Sequence, residues 1–114
     1  MPYINTTTTK NLDKTQRDEI KAELGQIIAE IPGKSENWLM VGFSEGAAMY
    51  FRGDDSADSA YVEVSILGRA DADAYERMTA RICDLFERKL GISPDRVYVK
   101  YEEAEHWGWN GANF

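Results

Sequence analysis

The stretch "RICDLFERKLGISPDRVYVKY", residues 81–101, decides the fold because it has a counterpart 58 residues earlier in the chain. The counterpart is "ELGQIIAEIPGKSENWLMVGF", residues 23–43. Each stretch continues an apolar helical face, reaches a glycine (Gly33 or Gly91) and enters a β-rich run. Under this offset, core positions coincide in the pairs Ile20/Met78, Leu24/Ile82, Ile27/Leu85, Ile28/Phe86, Val41/Val99 and Ile4/Val62. The sequence therefore predicts one domain over residues 1–114, built as an internal pseudo-repeat of about 2–58 and 59–114.

Each half of the repeat predicts a β-α-β unit. The predicted strands lie at 3–7, about 38–43, 48–52, about 61–66 and about 95–101, with helices before Pro32-Gly33 and before Gly91. Asp13 or Thr15 can cap the first helix, and Asp73 with Glu76 forms a predicted capping pair for the second. The aromatic, Gly/Asn-rich tail predicts a short turn or strand.

These units predict an α/β (α+β) fold, in which one mixed sheet carries both helices on a single face. Each β-α-β crossover joins two parallel strands. The strand at 38–43 carries apolar residues on both of its faces: Trp38 and Met40 on one, and Leu39, Val41 and Phe43 on the other. A sheet that is apolar on both faces needs a second cover. No chain remains to supply it, so the pattern predicts an oligomer.

Composition excludes several classes of function. The net charge of −7 at pH 7 argues against binding nucleic acid or anionic membranes. No apolar run approaches the ~20 residues of a membrane span. No signal peptide is evident, so we expect a cytoplasmic protein, with export without a signal peptide as the alternative. The single Cys83 cannot form an internal disulfide, and neither a metal nor a cofactor is expected.

Several motifs resemble the macrophage migration inhibitory factor family of the tautomerase superfamily. They are Pro2 directly after Met1, Gly33-Lys34, Ser65-Ile66, "ISPDRVY" at 92–98 and "WGWNGANF" at 107–114. The resemblance covers nearly the whole chain. It implies two β-α-β units in one sheet, assembled as a homotrimer with active sites at the subunit interfaces.

The resemblance also implies an activity. Family members are similar in using an N-terminal proline as the general base for keto–enol tautomerisation of small aromatic α-keto acids such as phenylpyruvate, or of dopachrome-like compounds. A general base works best with a pKa near the operating pH, and burial and a nearby cation both lower the pKa of an amine. Pro2 can act in this way only if Met1 is removed, because the nitrogen is otherwise an amide.

The same resemblance assigns roles in substrate binding. Lys34 matches the carboxylate-binding lysine, although a lysine after a helix can simply stabilise the helix dipole. Ile66 offers backbone groups while also serving as a core strand residue, and Tyr98 is the tyrosine that enters the pocket from the neighbouring subunit. The expected aromatic wall consists of Trp109, Phe114 and, as a second candidate, Trp107.

Departures from the family pattern modify these expectations. Lys100 stands where the best-known members have Asn, so it is either a second cation in the pocket or a side chain turned outward. Tyr3 is bulkier than the Met of well-studied members and predicts a narrower pocket mouth. His106 is more often a bystander in such a position. Asp58 and Tyr61 replace the Cys-x-x-Cys pair of some members, which excludes thiol oxidoreductase chemistry.

Two other classes of function compete with the enzyme. One is a cytokine-like signalling or interaction protein that binds a protein receptor and keeps the pocket as a vestige or contact surface. The other is a superfamily relative with dehalogenase or decarboxylase activity. The length of the chain and its "GWN" tail favour the cytokine-like branch.

Overall fold

A computed structural model describes all residues 1–114 and contains one four-stranded sheet, two helices and a short C-terminal hairpin. The strands are β1 (Pro2–Thr8), β2 (Met40–Ser44), β3 (Ala60–Leu67), β4 (Val97–Ala104), β5 (Gly108–Trp109) and β6 (Ala112–Asn113). The helices are α1 (Lys14–Ile27) and α2 (Ala72–Leu90), and single 3₁₀ turns occupy Ile28–Glu30, Glu36–Trp38 and Pro94–Arg96.

The sheet has the strand order β2-β1-β3-β4. β1 pairs with β2 in parallel across α1, and β3 pairs with β4 in parallel across α2. The two units meet through the antiparallel pair β1–β3 at the centre of the sheet. The predicted fold class, a mixed α+β sheet with two helices, is confirmed.

Both helices cover the same face of the sheet. Burial alternates along β1 and β3, which is the pattern of strands with one covered face. The residues that build the single core are Ile4, Val62, Val64 and Ile66 from the strands and Ile20, Leu24, Met78, Ile82, Leu85 and Phe86 from the helices. No helix is long and apolar enough to cross a membrane.

The helix ends show which of the predicted capping residues act as caps. Asp13 caps α1: its carboxylate accepts the Gln16 N–H at 2.8 Å, and the Gln16 side chain accepts the Asp13 N–H at 3.1 Å. The predicted Asp73–Glu76 pair is wrong, because α2 starts at Ala72 and Asp73 already lies in its first turn. Gly91 ends α2 in the left-handed conformation, with φ 67°.

Two strand predictions need correction. The strand at 48–52 does not form. Only Phe51 and Asp54 bridge there, across a tight turn in which Arg52 and Gly53 have positive φ. The alternation was present, but residues 48–50 pair with no strand of this chain, and a strand requires a partner. The strand at 38–43 begins at Met40 because the preceding residues form the turn Glu36–Trp38.

The open face of the sheet is more polar than predicted. In register across β1, β3 and β4 it presents Asn5, Glu63 and Lys100 in one row and Tyr3, Ser65 and Glu102 in the next. Large exposed side chains stand on its two edge strands: Met40 on β2 is 68% exposed and Tyr98 on β4 is 64% exposed. The open face therefore mixes charged rows with exposed apolar and aromatic side chains at its edges, rather than forming a continuous second apolar face.

Candidate functional site

The largest concavity is a cleft of about 1020 Å³ that lies beside the first residues of β1. Its walls come from the 37–40 segment, the last residues of β4 and the C-terminal hairpin. The lining residues are Met1, Pro2, Tyr3, Asn37, Trp38, Leu39, Met40, Ser65, Glu102, Glu103, Ala104, Trp107, Gly108 and Trp109. All three tryptophans of the chain line this one cleft.

The N-terminal end of the chain is held in the cleft by backbone pairing. Pro2 is buried and lies opposite Ile66 in the antiparallel pair of β1 and β3. The Leu67 N–H donates to the Met1 carbonyl at 3.0 Å. β1 needs no N–H from Pro2 for this arrangement, so a proline is tolerated at its first position.

Lys34 reaches the end of β3, next to the first residues of β1, from the loop after α1. Its Nζ donates to the Leu67 carbonyl at 2.8 Å, so the ammonium contacts β3 rather than the last carbonyls of α1. Gly33, with φ 81°, turns the chain immediately before it. An ammonium has three donors, which leaves two N–H groups for another acceptor.

This setting changes the acidity of the terminal amine. Burial, followed by the charge and hydrogen bonding of Lys34, lowers the pKa of the Met1 α-amino group to about 6. Both causes disfavour the protonated form. The Met1 α-amino group therefore loses its proton more readily than an ordinary chain terminus.

An aromatic cluster forms one wall. The rings of Trp38 and Trp109 meet edge to face with centroids 5.0 Å apart, and Phe114 stacks on Trp109 at 6.0 Å and contacts Trp38 at 6.2 Å. Phe114 does not line the cleft itself but supports Trp109. Sequence reasoning missed Trp38 as a site residue. The sequence did offer a clue: Trp38 is an aromatic residue that follows the Gly33-Lys34 loop and alternates with the apolar Leu39.

The C-terminal hairpin presents this wall. Asn110 and Gly111 join β5 to β6 with φ values of 52° and 82°, as a two-residue turn with both residues left-handed. The Phe114 N–H donates to the Trp107 carbonyl at 3.1 Å, which closes the hairpin.

The structure also places Ile66 and Tyr3. The Ile66 side chain is 1% exposed and belongs to the core, so only its backbone is near the cleft. Tyr3 lines the cleft, and its hydroxyl lies over Gly42, where an added Cβ would stand 3.0 Å away.

Tyr98 and Lys100 do not line the cleft of their own chain. Tyr98 is 64% exposed and packs on Phe51 with centroids 5.3 Å apart. Lys100 lies on the open sheet face, where its Nζ is 2.8 Å from Glu102 Oε1 and 4.0 Å from Glu63 Oε2. The hydrogen bond to Glu102, more than any other contact, raises the pKa of Lys100.

Two carboxylates in the cleft were also missed. Glu102 is paired with Lys100, and Glu103 accepts the Tyr75 hydroxyl at 2.7 Å and the Ala70 N–H at 3.1 Å. These bonds, that of Tyr75 first, lower the pKa of Glu103, whereas burial and Glu103 raise the pKa of Tyr75 to about 12. Glu103 therefore anchors β4 to α2. In the sequence, the run "EEAE" at residues 102–105 shows only a cluster of negative charge, which does not point to a site.

The site contains no group of three His, Cys, Asp or Glu side chains placed to hold a metal ion. His106 is exposed and lies outside the cleft lining. Chemically, the cleft offers an amine with a lowered pKa, a cation beside it, an aromatic wall and two carboxylates, Glu102 and Glu103, that already have partners.

Comparisons with known proteins agree with this architecture. The family model described as macrophage migration inhibitory factor matches residues 1–114. The mouse (Mus musculus) macrophage migration inhibitory factor is 33% identical over 97 residues, 82% of each chain. The Leishmania major MIF2 crystal structure has a TM-score of 0.92 at 36% identity, covering 100% of this chain and 97% of its own. The homologue from Prochlorococcus marinus has a TM-score of 0.81 at 29% identity, covering 98% of both chains.

The fold and the cleft thus define a protein of the tautomerase superfamily. Within it, the chain belongs to the macrophage migration inhibitory factor family.

Proposed function

We propose that the protein is a keto–enol tautomerase of small aromatic α-keto acids, phenylpyruvate-like or dopachrome-like, with Pro2 as the general base after Met1 is removed. The observation that carries the proposal is that Pro2 lines a cleft together with all three tryptophans, while the Lys34 ammonium bonds the Leu67 carbonyl and lies beside the preceding residue, Met1. Membership of the family supports the same class of reaction.

The base needs a neutral nitrogen with a lone pair directed into the cleft. Once Met1 is removed, the Pro2 nitrogen becomes a secondary amine, one residue along from the Met1 amine whose pKa burial and Lys34 lower. The same two causes would lower the pKa of Pro2. Neutral Pro2 then takes a proton from the carbon next to the substrate's keto group. Return of that proton to the other end of the enol system completes the isomerisation.

The surroundings suit an aromatic keto acid. The substrate carboxylate pairs with Lys34, whose Nζ keeps two donors free beside its bond to Leu67. The substrate ring then lies against Trp38, Trp107 and Trp109, where flat rings gain from offset or edge contacts. No cofactor takes part in this reaction.

The site is completed by a second subunit in this proposal. Tyr98 and Lys100 lie away from the cleft of their own chain, and as a homotrimer the protein would bring them to a neighbour's cleft. Lys100 would arrive with its charge already balanced by Glu102 and Glu63, so Lys34 remains the main anchor for a carboxylate.

A second candidate function is cytokine-like signalling through a protein receptor. The observation in its favour is the identity of about one third to mammalian proteins that bear the name macrophage migration inhibitory factor. We place the tautomerase in the cytoplasm, and export without a signal peptide would accompany the signalling role. The two functions are compatible in one protein.

The test combines intact mass with turnover. Protein whose mass shows that Met1 has been removed should tautomerise phenylpyruvate, and Pro2→Gly should lose this activity by orders of magnitude while keeping the same circular dichroism spectrum and oligomeric mass. Unchanged turnover in Pro2→Gly would reject the assignment of the base. No turnover in the processed native protein would leave the signalling role as the function to pursue.

A further inference from the structure

Arg96, in the 3₁₀ turn before β4, donates more hydrogen bonds to the polar loop before β3 than any other side chain. Its Nε donates to the Asp58 carbonyl at 3.0 Å and to Ser59 Oγ at 3.2 Å. One Nη donates to the Asp54 and Ala57 carbonyls at 2.9 and 3.0 Å, and the other contacts Asp54 Oδ2 at 3.3 Å. The Arg96 side chain is only 13% exposed. This network fastens the loop at 54–59 to the start of β4.

The same arginine supports an aromatic ring. The Arg96 guanidinium lies 5.6 Å from the centroid of Phe51, and that of Arg52 lies 5.4 Å from it, both within cation–π range. Two backbone hydrogen bonds between Phe51 and Asp54, at 2.9 and 3.0 Å, hold the turn that carries the ring. Phe51 is therefore held from its backbone and from its ring face, although it belongs to no strand.

Phe51 in turn contacts Tyr98. The two rings meet at 71° with centroids 5.3 Å apart, which is the edge-to-face geometry that aromatic pairs favour. Tyr98 is otherwise 64% exposed, and its hydroxyl makes no hydrogen bond within the chain. An exposed tyrosine normally changes rotamer on the ps–ns timescale, so this contact selects one orientation.

We propose that Phe51, supported by Arg96, is a positioning residue that presents the Tyr98 hydroxyl to the cleft of the neighbouring subunit. This inference rests on the proposed function, in which Tyr98 completes that cleft. Thr8 and Thr9 of the β1 end hold the loop at Asp58 and Ser59, and Arg96 alone among the side chains outside the loop adds hydrogen bonds to Asp54 and Ala57, next to the turn that carries Phe51. The contacts from Arg96 to Phe51 and from Phe51 to Tyr98 leave the Tyr98 hydroxyl oriented and without a hydrogen-bond partner in its own chain.

Activity of a double-mutant cycle tests the coupling. Phe51→Leu should lower kcat/KM for phenylpyruvate about five-fold when Tyr98 is present. In the Tyr98→Phe background, where the hydroxyl is absent, Phe51→Leu should cause no further loss. Phe51→Tyr, which keeps an aromatic ring, should restore native activity. An equal loss from Phe51→Leu in both backgrounds would overturn the proposal, because a purely structural residue acts additively.

Matched variants separate local from global effects. Tyr50→Leu removes the adjacent aromatic side chain, which is 71% exposed and packs on no other ring of this chain, and should leave kcat/KM unchanged. Arg96→Lys keeps the charge but loses the planar fork, so it should lower activity in the same direction as Phe51→Leu. Arg96→Lys also provides the test if Phe51→Leu fails to fold. Native activity in a folded Arg96→Lys would count against the proposal.

A readout independent of turnover keeps this proposal distinct from the proposed function. NMR order parameters of isotopically labelled tyrosine rings should show Tyr98 ordered in the native protein and more mobile in Phe51→Leu. Unaltered Tyr98 order would overturn the positioning role whatever the activity. Absence of tautomerase activity in the native protein would reject the proposed function. If Phe51→Leu still made the Tyr98 ring more mobile, the inference would be reduced to the statement that Phe51 orients Tyr98.

Discussion

Two threonines on β1 show how single atoms affect the stability of this fold. Thr6 and Thr8 lie on the same strand and the same covered face, and both are buried. The Thr8 hydroxyl donates to the Ser59 carbonyl at 2.9 Å and accepts the Lys10 N–H at 3.3 Å. Thr6 Oγ1 has no hydrogen-bond partner. A buried hydroxyl without a partner loses the hydration of the unfolded state and gains nothing in return.

Replacing these hydroxyls by methyl groups should have opposite effects. Thr6→Val should raise the free energy of unfolding by about 1 kcal/mol, because it removes an unpaired polar group and keeps the β-branched shape. Thr8→Val is the matched control and should lower the free energy by about 1 kcal/mol, because it breaks a buried bond. Urea denaturation of the two variants measures the difference. A loss in Thr6→Val as large as that in Thr8→Val would mean that Thr6 is bonded after all.

At the scale of elements, the C-terminal hairpin is the least self-sufficient part of the cleft. β5 and β6 have two residues each, and a lone hairpin of that size is only marginally stable in water. It depends on the left-handed turn at Asn110-Gly111 and on packing of its rings against Trp38. The aromatic wall is therefore only as ordered as this turn.

Gly111→Ala should loosen the hairpin, because φ 82° is costly for a residue with a Cβ. We expect tryptophan emission to shift to the red and KM for phenylpyruvate to rise more than kcat falls, with little change in global stability. Gly91→Ala is the control with a comparable φ of 67° at the end of α2. It should lower the free energy of unfolding by about 1 kcal/mol and leave the emission unchanged. Native emission and KM in Gly111→Ala would contradict the proposed role of the hairpin.

At the scale of the whole molecule, the sheet has one covered and one open face. The open face carries Lys100 between Glu63 and Glu102, and Tyr98 stands exposed on the same strand. In the proposed trimer each cleft would combine residues of two subunits, which would explain why Tyr98 and Lys100 lie apart from their own cleft. A shared site of this kind makes a prediction that a site within one chain does not.

Mixing two inactive variants tests the shared site. Trimers reassembled from equal amounts of Pro2→Gly and Tyr98→Ala chains should regain activity, because random assortment gives roughly a quarter of the clefts both native residues. The native assembly should have the mass of three 12.9 kDa chains in light scattering. Mixtures with no activity above that of the separate variants, or a monomeric mass, would contradict a site shared between subunits.

The sequence predicted the topology better than the local details, and the repeat explains why. Periodicity reports which side of an element is buried, so the offset between Gly33 and Gly91 led to two β-α-β units in one sheet. Periodicity does not report which strand lies alongside. The alternation at 48–52 therefore predicted a strand where the chain forms only the turn at Phe51–Asp54.

The site divides in a similar way. Motif resemblance predicted Pro2, Tyr3, Trp107 and Trp109, which all line the cleft, and Lys34, which contacts the strand beside it. It could not supply Trp38, because that side chain joins the cleft only through the 3₁₀ turn at Glu36–Trp38. It did not predict the pairing of Lys100 with Glu102, because the predicted strand ended at residue 101 whereas β4 continues to Ala104 and so places residues 100 and 102 on one face. The first miss depends on tertiary placement and the second on the length of one strand.

The central claim is that Pro2 carries a basic nitrogen with a lowered pKa, and nitrogen NMR on protein with labelled proline measures this directly. We expect an amine resonance from Pro2 that titrates at or below neutral pH, because burial and Lys34 both disfavour its protonated form. Lys34→Gln should move the midpoint to higher pH, whereas Lys89→Gln, the same charge change on the far side of the helices, should not. An amide resonance would mean that Met1 is retained. Such an amide resonance would rule out Pro2 as the base. So would a midpoint above the ordinary α-amino range of about 8 that does not change in Lys34→Gln.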